Sequence, residues 1–189
     1  MDPVTVHRTT PRLILSTPAP DDAAAMLDYF RRNRQHLQPW EPDRPEGFYT
    51  IDGMTARIAD MQGRMRQGQA LHLLLRMPAS GDVIGECGFT NIVRGPFQAC
   101  HLGFSLSHDV GGRGLMHEAL RCALDVVFTE LGLHRVMANY RPENARSERL
   151  LARLGFEREG LARAYLHIDG QWRDHVLTSL IADAPRRAP

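Results

Sequence analysis

Residues 102–116 read LGFSLSHDVGGRGLM, a strand-like segment that continues through a glycine-rich loop into the start of a helix-like segment. Residues 102–106 alternate like a half-buried strand, and from Leu115 the apolar side chains recur every three or four residues until Gly132, as in an amphipathic helix. Glycines between the two segments let backbone N–H groups converge on an anion at the positive end of the helix dipole. The stretch therefore predicts a site for a phosphate or pyrophosphate, although a plain tight turn before a helix gives the same pattern.

Two common nucleotide motifs do not fit this stretch. The chain has no G-x-x-x-x-G-K-[ST] sequence, and the run from Gly112 to His117 lacks the third glycine of the dinucleotide fingerprint. A phosphate-bearing ligand thus remains, without a P-loop or a Rossmann site.

The composition is that of an ordinary globular domain. The 189 residues are 43% hydrophobic and 24% charged, and 23 Lys and Arg nearly balance 22 Asp and Glu, so there is no strong signal for nucleic acid. No apolar run reaches the ~18–20 residues of a membrane span, and the N-terminus lacks a signal-peptide pattern. Three cysteines without Cys-x-x-Cys spacing indicate reduced thiols, so we expect a cytoplasmic protein. We predict one domain over residues 1–183 and a disordered tail at 184–189.

Outward from the central stretch, the patterns alternate between strands and helices. The predicted order is strand, helix, a Pro-rich loop at 37–49, helix, three strands in a meander, the glycine loop, helix, strand, helix and a final hairpin turning at Asp169-Gly170. A strand–helix–strand crossover usually returns parallel, so the sheet should be mixed.

This order and the glycine loop resemble the Gcn5-related N-acetyltransferase (GNAT) family. In that family a Gln/Arg-x-x-Gly-x-Gly/Ala loop holds the pyrophosphate of acetyl-CoA; here Gly112 and Gly114 match, and Asp109 replaces the Gln/Arg. The resemblance implies an α/β (α+β) fold with a mixed, mostly antiparallel sheet of about seven strands and about four flanking helices. Acetyl-CoA would lie in the splay between strands four and five.

Further segments are similar to the branch of this family that acetylates ribosomal proteins, the RimJ and RimL type, and most of all to its RimJ members. They are LQPWEP at 37–42, NIVRGPFQAC at 91–100, HRVMANY at 134–140, LARLGFEREG at 151–160 and IDGQWRDHVL at 168–177. The resemblance implies acetylation of the N-terminal α-amine of a ribosomal protein beginning with Ala or Ser, by direct attack in a ternary complex. It also makes ribosome association possible, in a monomer or dimer.

The resemblance assigns cosubstrate and leaving-group roles to a set of residues around the central stretch. Those expected to bind acetyl-CoA are Phe104, Ser105, Leu106, Val110, Gly111, Gly112, Arg113, Gly114, Leu115, Asn144 and Ser147. The backbone amides of 104–106 would polarise the thioester carbonyl, and the Ser147 hydroxyl would lie near the sulfur. Asn144 and Ser147 are also good helix N-caps, so a purely structural role stays open.

The general base is not fixed by the sequence. Relatives of this branch carry a Glu several residues after Gly160, where this chain has Tyr165. The candidates that remain are Glu86 and His101 on strands and Glu41 or Asp43 in the Pro-rich loop. For the two strand residues a solvent-facing or structural role is the alternative. His117-Glu118 is half of a zinc motif whose second His is missing, so we expect no metal.

The Pro-rich loop and the final hairpin would form the acceptor side. Trp40 could pack on a small side chain, and Glu41 and Asp43 could attract a positively charged N-terminus; an acidic solvated loop around one Trp is the structural alternative. Two other functions remain open: a GNAT enzyme that acetylates a small amine, amino acid conjugate or antibiotic, and a non-catalytic ribosome-assembly factor that binds through arginines such as Arg146 and Arg149.

Overall fold

One mixed eight-stranded sheet runs through residues 5–182, the part of the chain that the computed structural model describes. The tail predicted at 184–189 lies outside the described residues, and the division into one domain and a tail stays a prediction. The strands are β1 His7–Thr9, β2 Ile14–Ser16, β3 Leu71–Arg76, β4 Val83–Val93, β5 Ala99–Leu106, β6 Arg135–Tyr140, β7 Glu157–Ile168 and β8 Gln171–Ile181. The helices are α1 Ala23–Leu37, α2 Ile51–Arg66, α3 Leu115–Asp125, which a π-helical turn at Val126–Glu130 extends, and α4 Ala145–Arg153.

The strand order across the sheet is β1-β2-β3-β4-β5-β6-β8-β7. All neighbouring pairs are antiparallel except β5 and β6, which the crossover through α3 brings together in parallel. The mixed, mostly antiparallel sheet and the four helices are as predicted. The sequence did not predict β1, the additional strand. It is only three residues long and exposed, and a segment this short shows no alternation of apolar and polar residues.

The parallel pair β5–β6 opens after three residues. Ala99, Cys100 and His101 pair with Arg135, Val136 and Met137, and beyond this point β5 continues along β4 alone while β6 continues along β8 alone. Residues 102–106 therefore present an edge without ladder partners on the β6 side. This gap corresponds to the splay that the family resemblance implies between strands four and five in the family's numbering.

Helices cover both faces of the sheet, because the strands alternate two sets of apolar side chains. On one face the core packs α3 and Leu151 of α4 against buried strand residues such as Cys87, Cys100 and Val136. On the other face α1 and α2 bury Tyr29, Phe30 and a row of methionines. None of the helices in residues 5–182 combines the length and apolar character that crossing a bilayer requires.

Candidate active site

The glycine loop reaches α3 through two left-handed residues. Gly112 has φ +78° and Gly114, the N-cap of α3, has φ +76°. A Cβ on Gly112 would meet no atom within 4 Å, so this side of the loop is open. In the left-handed region an L side chain costs about 1–2 kcal/mol. The two glycines thus let the chain turn into the helix and leave room for a ligand at its N-terminus.

Arg12 and Glu118 brace this loop from behind. The Arg12 guanidinium donates to the Arg113 carbonyl at 2.8 Å and to the Glu118 carboxylate at 2.6 Å. Glu118 also accepts from the Thr10 hydroxyl at 2.6 Å. Burial opposes ionisation of Glu118, but the hydrogen bonds from Thr10 and Arg12 outweigh it and lower its pKa. The β1–β2 connection and the first turn of α3 are therefore held together around one carboxylate.

Asn33 of α1 holds the other end of the loop. Its side chain is buried; Nδ2 donates to the Ser107 hydroxyl at 2.8 Å and to the Tyr29 carbonyl at 2.9 Å, while Oδ1 accepts from the His108 N–H at 3.0 Å. Asp109, which replaces the family's Gln/Arg, is exposed, and a hydrogen bond from Ser107 lowers its pKa. Asp109 thus sits as an ionised carboxylate on a turn fixed by Asn33.

The residues of β5 that were expected to face the thioester, 104–106, place their side chains on opposite faces of the sheet. The Ser105 hydroxyl accepts from the buried Tyr29 hydroxyl at 2.9 Å, so this side chain is engaged with α1. Phe104 and Leu106 pack on the α3 side of the sheet. Only the backbone edge of 104–106 is directed into the splay, as the predicted oxyanion role requires.

Asn144 is the N-cap of α4. Its Oδ1 accepts from the Ser147 N–H at 3.1 Å, which gives it the structural role that the sequence left open. The half-buried Ser147 hydroxyl has no hydrogen-bond partner among residues 5–182. Beside them, a guanidinium nitrogen of Arg146 lies 3.9 Å from where a Gly111 Cβ would stand. The start of α4 therefore lies against the glycine loop, and Ser147 is free to face a ligand.

The two strand candidates for the general base have different surroundings. Both lie on the face away from Cys87 and Cys100. The Glu86 carboxylate forms two hydrogen bonds with Arg57 of α2, at 2.9 and 2.7 Å, and both side chains are more than four-fifths buried. This pairing argues against Glu86 as a base, because the guanidinium holds both oxygens.

His101 lies at the last rung of the parallel pair. Its Nδ1 is buried without a hydrogen-bond partner among the described residues, and burial lowers its pKa. The ring is therefore neutral near pH 7 and stays available as a proton acceptor at the mouth of the splay.

The Pro-rich loop at 37–49, here called the Trp40 loop, packs against the β7–β8 hairpin. Gln38 donates to the Asp169 carboxylate at 3.2 Å, and the Asp169 N–H donates to the Glu41 carbonyl at 3.4 Å. Trp40 is 39% exposed, and the Arg141 guanidinium lies 5.3 Å from its ring centre. Trp40 is thus partly covered by a cation rather than open to a small side chain on all sides.

A cavity of about 230 Å³ lies between α1 and this loop, on the acceptor side of the sheet. It is lined among others by Phe30 and Leu37 of α1 and by Glu41, Asp43 and Arg44 of the loop. Burial raises the pKa of Glu41, although Arg44 at 3.3 Å opposes the shift. Asp43 is exposed and makes no ion pair among residues 5–182, whereas Glu41 and Glu46 of the same loop pair with arginines.

The cysteines show no activation. Burial raises the pKa of the Cys100 thiol to about 12, and it raises the pKa of Cys87 further still. Within residues 5–182 there is no group of three or more His, Cys, Asp or Glu side chains placed to hold a metal ion.

The parallel pair separates beside a glycine loop at a helix N-terminus, an arrangement that suits a phosphate-bearing ligand next to an open strand edge. Residues 12–157 match the family model for the acetyltransferase (GNAT) domain, and the chain belongs to the GNAT family. It is an N-acetyltransferase by fold, by family and by the names of its relatives.

Within this family, the chain is similar to three proteins that are named for the acetylation of ribosomal proteins or as RimJ. The chain is 47% identical to the ribosomal protein uS5-alanine N-acetyltransferase of Escherichia coli over 93% of this chain and 90% of that protein. The crystal structure of ribosomal-protein-S5-alanine acetyltransferase from Vibrio fischeri superposes with a TM-score of 0.91 at 37% identity, covering 97% and 100% of the two chains. RimJ of Mycobacterium smegmatis, solved in complex with CoA-disulfide, gives a TM-score of 0.90 at 28% identity over 98% and 91%.

Two residues that support this site, Asn33 and Arg12, were missed from the sequence. Asn33 continues the buried spacing of Met26, Tyr29 or Phe30 and Leu37, so a polar residue at an apolar helix position was the available signal. Arg12 carries no local signal, because its partners are about a hundred residues away.

Proposed function

We propose that this chain transfers the acetyl group of acetyl-CoA to the N-terminal α-amine of a ribosomal protein that begins with Ala or Ser. One observation supports the chemistry most strongly: the backbone edge of 102–106 opens into the splay directly before a glycine loop at the N-terminus of α3. The acceptor class is carried by the similarity to uS5-alanine N-acetyltransferases, which extends over both the loop half and the hairpin half of the chain.

The residues fit acetyl-CoA by shape and by charge. The open side of Gly112 and the N–H groups at the start of α3 would receive the pyrophosphate, and Arg146 would add a positive charge beside Gly111. Residues 110–115 supply the loop itself. The Asp109 carboxylate, held by Ser107, would have to point away from the phosphates, because like charges repel.

Acetyl-CoA, when bound, supplies a thioester carbonyl carbon for the amine to attack. The N–H groups within 104–106 that point away from β4 would draw electron density onto the carbonyl oxygen, and the free Ser147 hydroxyl would donate to the departing sulfur. An α-amine with a pKa of ~8 is partly free base at neutral pH, so it needs only weak help in losing its proton. Neutral His101 is the strand residue that fits this task, whereas Glu86 is held by Arg57.

Acceptor specificity separates this function from acetylation of a small amine. A CoA-release assay should compare a peptide with the N-terminal sequence of uS5, the same peptide beginning with Ser, and a panel of small amines and amino acid conjugates. We expect kcat/KM for the Ala or Ser peptide to exceed that for any small amine by about two orders of magnitude, because a peptide can contact both walls of the site. A preference for small amines would refute the proposed acceptor, and binding of acetyl-CoA without any transfer would favour the assembly-factor function.

A further inference from the structure

Strand β7 contains a strained bulge. Residues 163–165 stand opposite the single residue Asp174 of β8, since Ala162 pairs with His175 and Leu166 pairs with Arg173. Ala164 at its centre has φ +46°, a left-handed conformation that costs an alanine about 1–2 kcal/mol. The Asp174 carboxylate accepts the Ala164 N–H at 2.8 Å and holds this conformation in place. Bulges and strained residues of this kind often orient a neighbouring side chain at a functional site, and here that neighbour is Tyr165.

The bulge aims Tyr165 at β6. The Tyr165 hydroxyl accepts from Asn139 Nδ2 at 3.2 Å, and the Asn139 Oδ1 in turn accepts from the Thr178 N–H at 3.4 Å. The second contact fixes the orientation of the amide, because only oxygen can accept from a backbone N–H. The Tyr165 ring also lies 5.6 Å from the ring of buried His175.

Asn139 stands in the open part of the splay. It lies two residues beyond Met137, the last residue of β6 that pairs with β5. Its neighbour Ala138 is buried in the core on the α3 side, so Asn139 belongs to the opposite face, with His101 and Met137. That is the face on which the cavity and the Trp40 loop lie.

The Tyr165 hydroxyl keeps hydrogen-bonding capacity for a ligand. The Asn139 N–H uses one of its two lone pairs, and the hydroxyl makes no other hydrogen bond within residues 5–182. The side chain is half-buried. One lone pair and the hydroxyl proton thus remain for a ligand beside Asn139, on the face of the sheet that also carries His101.

We propose that the Tyr165 hydroxyl contacts the acceptor amine, accepting one of its N–H groups so that the nitrogen lone pair points at the thioester carbon, and that Asn139 is the positioning residue that aims it. This assignment rests on the proposed function. Tyr165 undergoes no covalent change: the C–N bond forms, the C–S bond breaks, and the amine proton leaves to a base or to water. A hydroxyl held by a rigid amide orients the amine before reaction.

The test compares Tyr165→Phe, Asn139→Ala and the double variant, with Tyr140→Phe as the control on the opposite face of β6. We expect kcat/KM for the Ala-initiated peptide to fall by about 10-fold in each single variant, as for the loss of one hydrogen bond. The double variant should be no slower than the worse single one, because both changes remove the same contact. The Kd for acetyl-CoA and the melting temperature should stay at wild-type values in Tyr165→Phe, and Tyr140→Phe should keep wild-type kcat/KM.

Each other outcome overturns the assignment. Wild-type kcat/KM in Tyr165→Phe would show that the hydroxyl does not contact the amine, and additive losses would show that Asn139 does not act through Tyr165. A parallel loss of acetyl-CoA affinity and melting temperature would assign Tyr165 a structural role. If the wild-type enzyme itself acetylates no peptide, the proposed function falls and this assignment with it, whereas peptide transfer by an unaffected Tyr165→Phe overturns this assignment alone.

Discussion

A side chain at Gly112 would stand on the open side of the glycine loop, where we propose that acetyl-CoA binds. We predict that Gly112→Glu abolishes acetyl-CoA binding, because a carboxylate would occupy the open side of the loop and repel the pyrophosphate. Titration calorimetry with acetyl-CoA measures the effect, with a loss of at least about 100-fold in Kd expected.

Gly68 provides a matched control for this substitution. It also has positive φ, at +69°, and a Cβ there would meet nothing within 4 Å, but it follows α2 rather than preceding α3. Gly68→Glu should therefore carry the same backbone strain and keep the wild-type Kd. Equal binding by the two variants would mean that the loop does not face the cosubstrate.

Ser147 separates a chemical role from a structural one. Its backbone N–H, not its hydroxyl, receives the cap from Asn144, so Ser147→Ala should leave α4 intact. We predict a fall in kcat of about 10–100-fold with an unchanged Kd for CoA, since the hydroxyl would act on the departing sulfur only as it leaves. Stopped-flow or steady-state CoA release measures kcat; an unchanged kcat would remove Ser147 from the mechanism.

The role of a single residue could be predicted where local backbone conformation determines it, and less well where a partner distant in the sequence determines it. Gly112 and Gly114 followed from the motif, because only a left-handed turn joins β5 to α3 there. The sequence leaves Glu86 among the candidate bases, because no local pattern reveals that Arg57, on another element, pairs with its carboxylate. Ala164 gave no signal either, since alanine is not a residue that marks a bulge.

At the scale of elements, α3 begins against the β1–β2 connection through Glu118. Because the folded state holds the pKa of Glu118 below its ordinary 4.5, its ionised form stabilises the fold above that pH, and this contribution is lost as the pH falls through the folded-state pKa. We predict that Glu118→Gln lowers the free energy of unfolding by about 1 kcal/mol at pH 7.

The difference between wild type and Glu118→Gln should then shrink as the pH falls below 4.5, because the unfolded chain binds a proton there and the folded carboxylate binds one only at lower pH. Urea unfolding at several pH values between 7 and 3.5 measures this. A constant difference across the range would show that the charge of Glu118 does not contribute to stability.

Elements with strong local signals were predicted with their ends. Thr50 caps α2 by accepting the Gly53 N–H at 3.0 Å, and Asp169 and Gly170 both have positive φ in the final hairpin, as the type I′ prediction requires. The packing of the Trp40 loop on that hairpin was implied only by the family resemblance. Its arginine partners could not be derived, because Arg34 of α1 pairs with Glu46 and Arg141, after β6, donates to the Pro39 carbonyl.

In the whole molecule, the two helical layers carry different parts of the proposed site. The α3 and α4 layer carries the glycine loop, Arg146 and Ser147, and the α1 and α2 layer carries the cavity and the Trp40 loop. The splay between β5 and β6 is the passage between the layers. A thioester bound from one side and an amine arriving from the other would meet at 104–106, which is why the fold suits direct transfer in a ternary complex.

Arginines on α4 are the feature that the assembly-factor hypothesis uses. Arg146 and Arg149 belong to the same short helix, next to the glycine loop. If their role is the cosubstrate, Arg146→Ala should weaken acetyl-CoA binding by about 10-fold without changing kcat at saturating acetyl-CoA. Calorimetry and saturation kinetics measure this; an unchanged Kd together with lost ribosome co-sedimentation would favour the assembly-factor function.

The position of the acetyl group on a peptide product shows whether the enzyme acts on an N-terminal α-amine. An Ala-initiated ribosomal-protein peptide that also contains lysine should be incubated with acetyl-CoA beside its Nα-blocked form, and the acetyl group located by fragmentation mass spectrometry. We predict one acetyl group, on the α-amine alone, and no modification of the blocked peptide. Acetylation of lysine side chains, or equal modification of the blocked peptide, would contradict the account.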